Sequence, residues 1–181
     1  TRVTQKLLNF FEIKKKLISL HDHNESIVKE EVLSYLKNGL DVALVTDRGT
    51  PVISDPGYKT VSYISKNGYS VVALPGACAF VPALIVSGLN PQPFTFYGFL
   101  DSKIEKKKKE LQELKFVTNT LIFYEAPHRI FQTMKLMLEI FGDRDVSLSR
   151  EITKKFESVY RGKISDLLKT LEDVKGEFVV V

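Results

Sequence analysis

The 181-residue sequence, 44% hydrophobic and 27% charged, has the make-up of a chain that buries a core. No apolar run is long enough for a bilayer helix and no secretory signal is present, while the single cysteine, Cys78, excludes an intrachain disulfide and fits the reducing cytoplasm. A net charge of +4 is too mild to argue for nucleic acid by itself, but the lysines cluster at 14–16, 106–109 and 154–155. The sequence opens at Thr1-Arg2 without methionine and closes inside the apolar run Phe178-Val179-Val180-Val181. Both ends therefore read as cut, with a first strand expected before residue 1 and more chain expected after residue 181.

Short apolar runs alternate with longer amphipathic segments. Residues 17–20 predict a strand and 25–37 a helix, which Asn38-Gly39 is suited to end, because glycine tolerates the left-handed C-terminal position. Residues 42–46 lack polar alternation and predict a buried parallel strand. A helix over 58–66, a strand over 70–74 and a helix over 77–87 continue the rhythm of a doubly wound α/β domain. Asn90-Pro91-Gln92-Pro93 breaks the pattern, and a domain boundary is expected there, between domains at 1–90 and 94–181. Beyond it the sequence predicts strands at 94–97, 121–124, 146–149, 156–161 and 177–181. Helices are predicted over 103–116, 129–141 and 165–172. Two consecutive strands between 146 and 161 suggest an antiparallel hairpin, and so a mixed sheet in a C-terminal α/β domain.

The most informative stretch is 47–57, DRGTPVISDPG, which follows a predicted buried strand and precedes a helix. In open α/β sheets ligands sit beyond the carboxyl ends of the strands, where such loops gather. Gly49 and Gly57 allow backbone to approach a ligand, the prolines fix the loop, and Asp47 and Asp55 offer acceptors. An ordinary surface turn shares this composition, but an eleven-residue block dense in Gly, Pro, Ser and Asp favours a binding loop. Neither GxGxxG nor GxxxxGK[ST] occurs, which argues against a dinucleotide dehydrogenase or an NTPase. A second loop, Pro75-Gly76-Ala77-Cys78-Ala79, joins a predicted strand to a predicted helix, whose N–H groups favour a carboxylate or phosphate. Cys78 has no neighbouring charged side chain to activate a thiolate and reads as a small apolar residue.

These two loops, with TLIFYEAPHR over 120–129, SREITKKFE over 149–157, HDHNE over 21–25 and YGFL over 97–100, resemble the tetrapyrrole methylase superfamily. The motifs fall in order along nearly the whole chain, closest to a branch that methylates a cytidine ribose 2′-hydroxyl in small-subunit ribosomal RNA. Position 48 is Arg where that branch more often has a small residue. The resemblance implies a two-domain fold that holds S-adenosylmethionine in a cleft between its domains. Carried over by motif, one wall would be Asp47, Gly49, Thr50, Ile53, Ser54 and Asp55 with Pro75, Gly76, Ala77, Cys78 and Ala79. Tyr124, Glu125 and Ala126 would supply part of the other. It also implies a cytoplasmic homodimer.

Methyl transfer from a sulfonium needs positioning above all, and a base helps a poor nucleophile such as a ribose hydroxyl. His23, Glu25 and Glu125 are the first candidates, with His21 and Asp55 beside them. His21 and His23 with Glu25 have a metal-site reading, since alternate strand residues share a face. No comparable third ligand group stands nearby, and Asn24 as the cap of the following helix is the simpler account, so no metal is expected. Lys103, Lys106, Lys107, Arg129, Arg150, Lys154 and Lys155 are candidates for RNA phosphate contacts, although each taken alone reads as a solvated surface charge. Methylation of a small tetrapyrrole or a protein side chain, a catalytically silent RNA-binding module and a metal-dependent hydrolase are the competing readings.

Overall fold

The segments with helical periodicity in the first half fold as helices over the predicted residues. In the computed structural model, which describes residues 2–171 and 175–181, these are α2 (Glu25–Lys37) and α3 (Tyr58–Lys66). Both end alike. After α2 the Gly39 N–H reaches the Leu36 carbonyl and the Leu40 N–H the Tyr35 carbonyl, around Gly39 at φ 73°. After α3, Gly68 at φ 83° bonds to Ser65, and Tyr69 to Ile64. This paired closure satisfies the last carbonyls and needs a left-handed residue where each glycine stands. Val28 and Leu33 of α2 and Ile64 of α3 are buried where the two helices pack. A further helix, α1 (Arg2–Phe10), buries none of its residues and was not foreseen.

These helices lie in the first of two units, Thr1–Ala77, the second being Cys78–Val181. The strands predicted at 17–20, 42–46 and 70–74 do not form: among the described residues the first unit contains no strand, and the expected parallel sheet is absent from it. Residues 42–46 were also expected to be buried, yet Val42 and Val45 are exposed, as are Val71, Val72 and Leu74. An apolar run records a preference for a pleated, covered surface, but a parallel ladder forms only when a neighbouring strand offers matching N–H and C=O groups. Among the described residues none pairs with these segments.

The second unit holds the mixed sheet. Its elements are α4 (Phe80–Ser87), β1 (Phe94–Phe99), α5 (Ile104–Leu114), β2 (Thr120–Glu125), α6 (Pro127–Phe141), β3 (Asp145–Arg150), β4 (Ser158–Lys163), α7 (Ile164–Thr170) and β5 (Phe178–Val180). Strand order is β1-β2-β5-β3-β4; β1 and β2 run parallel across the α5 crossover, and the other pairs are antiparallel. The predicted hairpin is β3–β4. The predicted helix end at Glu172 lies outside the described residues.

Side chains alternate between the two faces of the sheet. Phe123, Leu148, Phe178 and Val180 join Leu111, Ile130, Met134 and Ile164 in the main core, whereas Ile122, Val179 and Val181 pack with Ala83 and Leu84 of α4. Arg161 of β4 donates from Nε to the Val86 carbonyl at 2.8 Å and so holds the last turn of α4. α4 packs on this sheet, and the compact units divide between Ala77 and Cys78.

Candidate functional site

In the first unit the loop over 47–57 is tied to the segment over 75–77. Thr50 Oγ1 donates to the Ala77 carbonyl at 2.8 Å. The two backbones approach closely: a Cβ on Gly76 would stand 3.1 Å from Thr50 Oγ1, and one on Gly49 would stand 3.4 Å from the Ala77 oxygen. Inside the loop Thr46 Oγ1 donates to Asp55 Oδ2 at 2.8 Å, which fixes that carboxylate. Val52 at φ 73° and Ser54 at φ 57° take left-handed conformations that side chains rarely adopt, and such strain persists only where surrounding contacts impose it. Asp47, Ile53 and Ser54 are exposed, and so are Gly49, Gly76 and Ala77, leaving the loop's polar edge and its glycine backbone open to a ligand.

The motif over 21–25 separates into two roles. His21 and His23 are exposed, with ring centroids 6.0 Å apart. Glu25 is 3% exposed, and its Oε1 accepts the Thr60 N–H at 2.8 Å. A carboxylate at the first turn of α3 satisfies an orphan donor and complements the helix dipole, so Glu25 holds the start of α3. Asn24 stands at the N-cap of α2 but makes no capping bond; its side chain accepts from His21 N and donates to the Ser19 carbonyl, both at 2.9 Å. No group of three His, Cys, Asp or Glu among the described residues has a metal-binding arrangement. Glu25→Ala should cost about 1–3 kcal/mol through the stranded, buried Thr60 N–H. A urea midpoint within error of the parent protein's would refute that role.

In the second unit Tyr124 lies at the end of β2. Its hydroxyl accepts the Phe80 N–H at 3.3 Å, and its ring meets Phe96 and Phe99 edge to face. Burial, and then the neighbouring Cys78, push the phenol up to about 12, so it remains protonated at neutral pH.

The next residue, Glu125, is 2% exposed. Its Oε2 accepts Lys107 Nζ at 3.0 Å and Thr133 Oγ1 at 2.6 Å, while Oε1 accepts the Ala126 N–H at 2.8 Å. Arg129 Nε lies 3.1 Å from Oε1, close enough for an ion pair but off the line of a hydrogen bond. Lys107, expected on an RNA-facing surface, is only 1% exposed and donates to Thr133 Oγ1 at 2.6 Å as well. The sequence reading missed this network. Arg129 and Thr133, four apart, share a face of α6 with the preceding acid in reach, but nothing in a run of four lysines marks the one that turns inward.

The other proposed RNA contacts differ in availability. Lys106 lies 3.6 Å from Asp101, and Lys154 pairs with both Glu151 and Glu177 at 2.8 and 2.9 Å. Lys103 is exposed; Arg150 is half-buried, its Nε without a hydrogen-bond partner among the described residues. Lys155 is exposed with its Nζ 5.6 Å from the Phe156 ring centroid.

A parallel crossover flanked by antiparallel strands, with glycine-containing loops before it, agrees with the family comparison. Residues 1–168 match the model of the Tetrapyrrole (Corrin/Porphyrin) Methylases, and the chain belongs to that family. It is 47% identical over 183 residues to Ribosomal RNA small subunit methyltransferase I of Bacillus subtilis (strain 168), an alignment that covers all of this chain and 63% of that protein. The protein of the same name from Vibrio cholerae serotype O1 is 44% identical, again over the whole chain, with 65% of its length covered. The chain thus spans less than two thirds of these relatives. Among solved structures, the methyltransferase CobJ superposes with a TM-score of 0.60 at 18% identity, over 84% of this chain and 69% of that one. Uroporphyrin-III C-methyl transferase from Thermus thermophilus, complexed with S-adenyl homocysteine, gives 0.59 at 15% identity, over 93% and 77%. At these identities the likeness concerns the fold.

Proposed function

We propose that the protein is an S-adenosylmethionine-dependent methyltransferase that acts on the ribose 2′-hydroxyl of a cytidine in small-subunit ribosomal RNA, in the cytoplasm and as a homodimer. The observation that carries this reading is the 44–47% identity, along the whole chain, to proteins named for small-subunit ribosomal RNA methylation. The tetrapyrrole enzymes share the fold at only 15–18% identity, which favours RNA over a small tetrapyrrole as the substrate. No helix among the described residues is long and apolar enough to cross a membrane.

The loop over 47–57 and the turn over 75–79 suit the cofactor, because Gly76 lets the turn approach Thr50 closely and the exposed glycine backbones at 49 and 76 carry no side chain that would screen them. When bound, S-adenosylmethionine supplies a methyl group already activated on a sulfonium. Asp47 and Asp55 are placed to accept hydrogen bonds from hydroxyl or ammonium groups, and the backbone N–H groups of the turn would donate to a carboxylate. Tyr124 and Ala126 of the second unit are proposed as further contacts, with Glu125 acting through Ala126. Glu25 and Glu125 being engaged, His23 is the favoured general base to take the proton of the attacking hydroxyl, with His21 beside it. A positioned base contributes about 10²–10⁴-fold.

Calorimetry with S-adenosylmethionine, followed by methyl transfer to unmodified small subunits, tests the reading. His23→Ala should lower methyl transfer about 100-fold or more while leaving cofactor affinity within two-fold of the parent's, roughly the minimum a base supplies. Absence of cofactor binding both by this chain and by a version extended at both ends would sink the methyltransferase reading. A His23→Ala variant of full activity would remove His23 alone.

A further inference from the structure

Most members of the lysine run at 106–109 are held by acids, whereas some isolated lysines are not. Beside α2 and α3, within the first unit, lies a groove of about 290 Å³ lined by Lys29, Tyr58, Lys59, Ser62, Tyr63 and Lys66. No acidic side chain lines it. Residues 59, 62, 63 and 66 fall at the i, i+3, i+4, i+7 spacing that puts them on one face of α3, and Lys29 reaches in from α2. Lys29 Nζ sits 4.6 Å from the Tyr63 ring centroid, and the Tyr63 hydroxyl donates to Glu30 Oε2 at 2.8 Å, which fixes the ring and occupies the nearest carboxylate. Tyr58 is 69% exposed at the start of the helix. Among the described residues Lys59 and Lys66 make no ion pair, unlike Lys106, Lys107, Lys108 and Lys154.

We infer that this groove is a contact surface for single-stranded RNA, an inference that rests on the RNA-methylation reading and places an RNA contact away from the residues proposed for chemistry. Three ammonium groups around one groove suit backbone phosphates, while exposed Tyr58 offers a stacking platform for a base. The Ser62 hydroxyl suits ribose and phosphate oxygens. A membrane-surface helix would carry an apolar stripe beside its lysines, and the lining has none beyond the two tyrosine rings. The contact reads no sequence. It supplies affinity and orientation, and sequence choice is left to the catalytic loops.

The test is fluorescence anisotropy of a short labelled single-stranded oligoribonucleotide with this chain across a salt series. Each phosphate neutralised on a single strand contributes about 0.7 to the slope of log affinity against log salt. Lys29→Ala/Lys59→Ala/Lys66→Ala is therefore expected to flatten that slope by about 2. Tyr58→Ala should weaken binding about five-fold or more with the slope unchanged, as the loss of one stacked base implies. These exposed changes should leave circular dichroism unaltered. If the parent binds RNA and the variants match it in affinity and slope, the groove is not an RNA contact, although the RNA reading stands. If the parent binds no RNA, both fall. If the variants keep RNA affinity but lose binding to phosphatidylserine-containing vesicles, the patch is a membrane contact and the inference is overturned.

Discussion

Glu125→Ala is expected to lose about 3–5 kcal/mol of folding stability, the cost of removing one partner from a buried ion pair. Typical domains have only about 5–15 kcal/mol in total, so the urea midpoint should fall steeply. The size follows from what remains. Lys107 Nζ, 1% exposed, would keep Thr133 Oγ1 as its one recorded partner, and the Ala126 N–H would lose its acceptor. Lys107→Met should cost clearly less, because Glu125 would keep the Ala126 N–H, Thr133 and Arg129. Lys107→Met/Glu125→Leu should regain much of the stability, since an apolar pair needs no compensating charge. Cofactor affinity should stay low in that double variant if Glu125 serves the site by fixing the Ala126 backbone. A loss below about 1 kcal/mol in Glu125→Ala would mean that the pair contributes little.

That network also marks where sequence reading stops. The helix over 25–37 was legible because period and C-terminal glycine agreed on both length and end, and the helix over 58–66 from its place in the alternating pattern. The β3–β4 hairpin was legible because two strand patterns stood too close together for a crossover. Residues 42–46 and 70–74 were read by apolarity alone, which does not say whether a partner strand is present. Side-chain roles were harder. Glu25 and Glu125 stand in motifs suggestive of chemistry, yet each is engaged by a group distant in sequence: Thr60 on the following helix for one, Lys107 for the other. Conversely, Lys29, Lys59 and Lys66 drew no notice as isolated lysines, and only the packing of α2 on α3 gathers them into a groove. Spacing shows which residues share a face; it does not show which of them are spent.

Gly57→Ala should cost about 2–4 kcal/mol and weaken cofactor binding with it. Gly57 is buried at φ 130°, which a residue with a Cβ reaches only under strain of about 1–3 kcal/mol. The added Cβ would stand 2.9 Å from Leu44 Cδ2 and 3.3 Å from Val52 Cγ2. Leu44 ends in a flexible group and can yield, whereas Val52 already holds a left-handed backbone at φ 73° and has little freedom to move. Overpacking at such a position adds about 1–3 kcal/mol. Because Val52 lies within the loop over 47–57, its displacement should be transmitted to Asp55 and Thr50, the loop's hydrogen-bonded points. Gly39→Ala supplies the comparison. Gly39 also has a positive φ, 73°, but nothing lies within 4 Å of its added Cβ, so it should cost about 1–2 kcal/mol of backbone strain and leave cofactor affinity unchanged. Equal losses at both positions, with binding intact in each, would show that Gly57 matters only for its backbone angle and that its packing against the loop does not shape the ligand site.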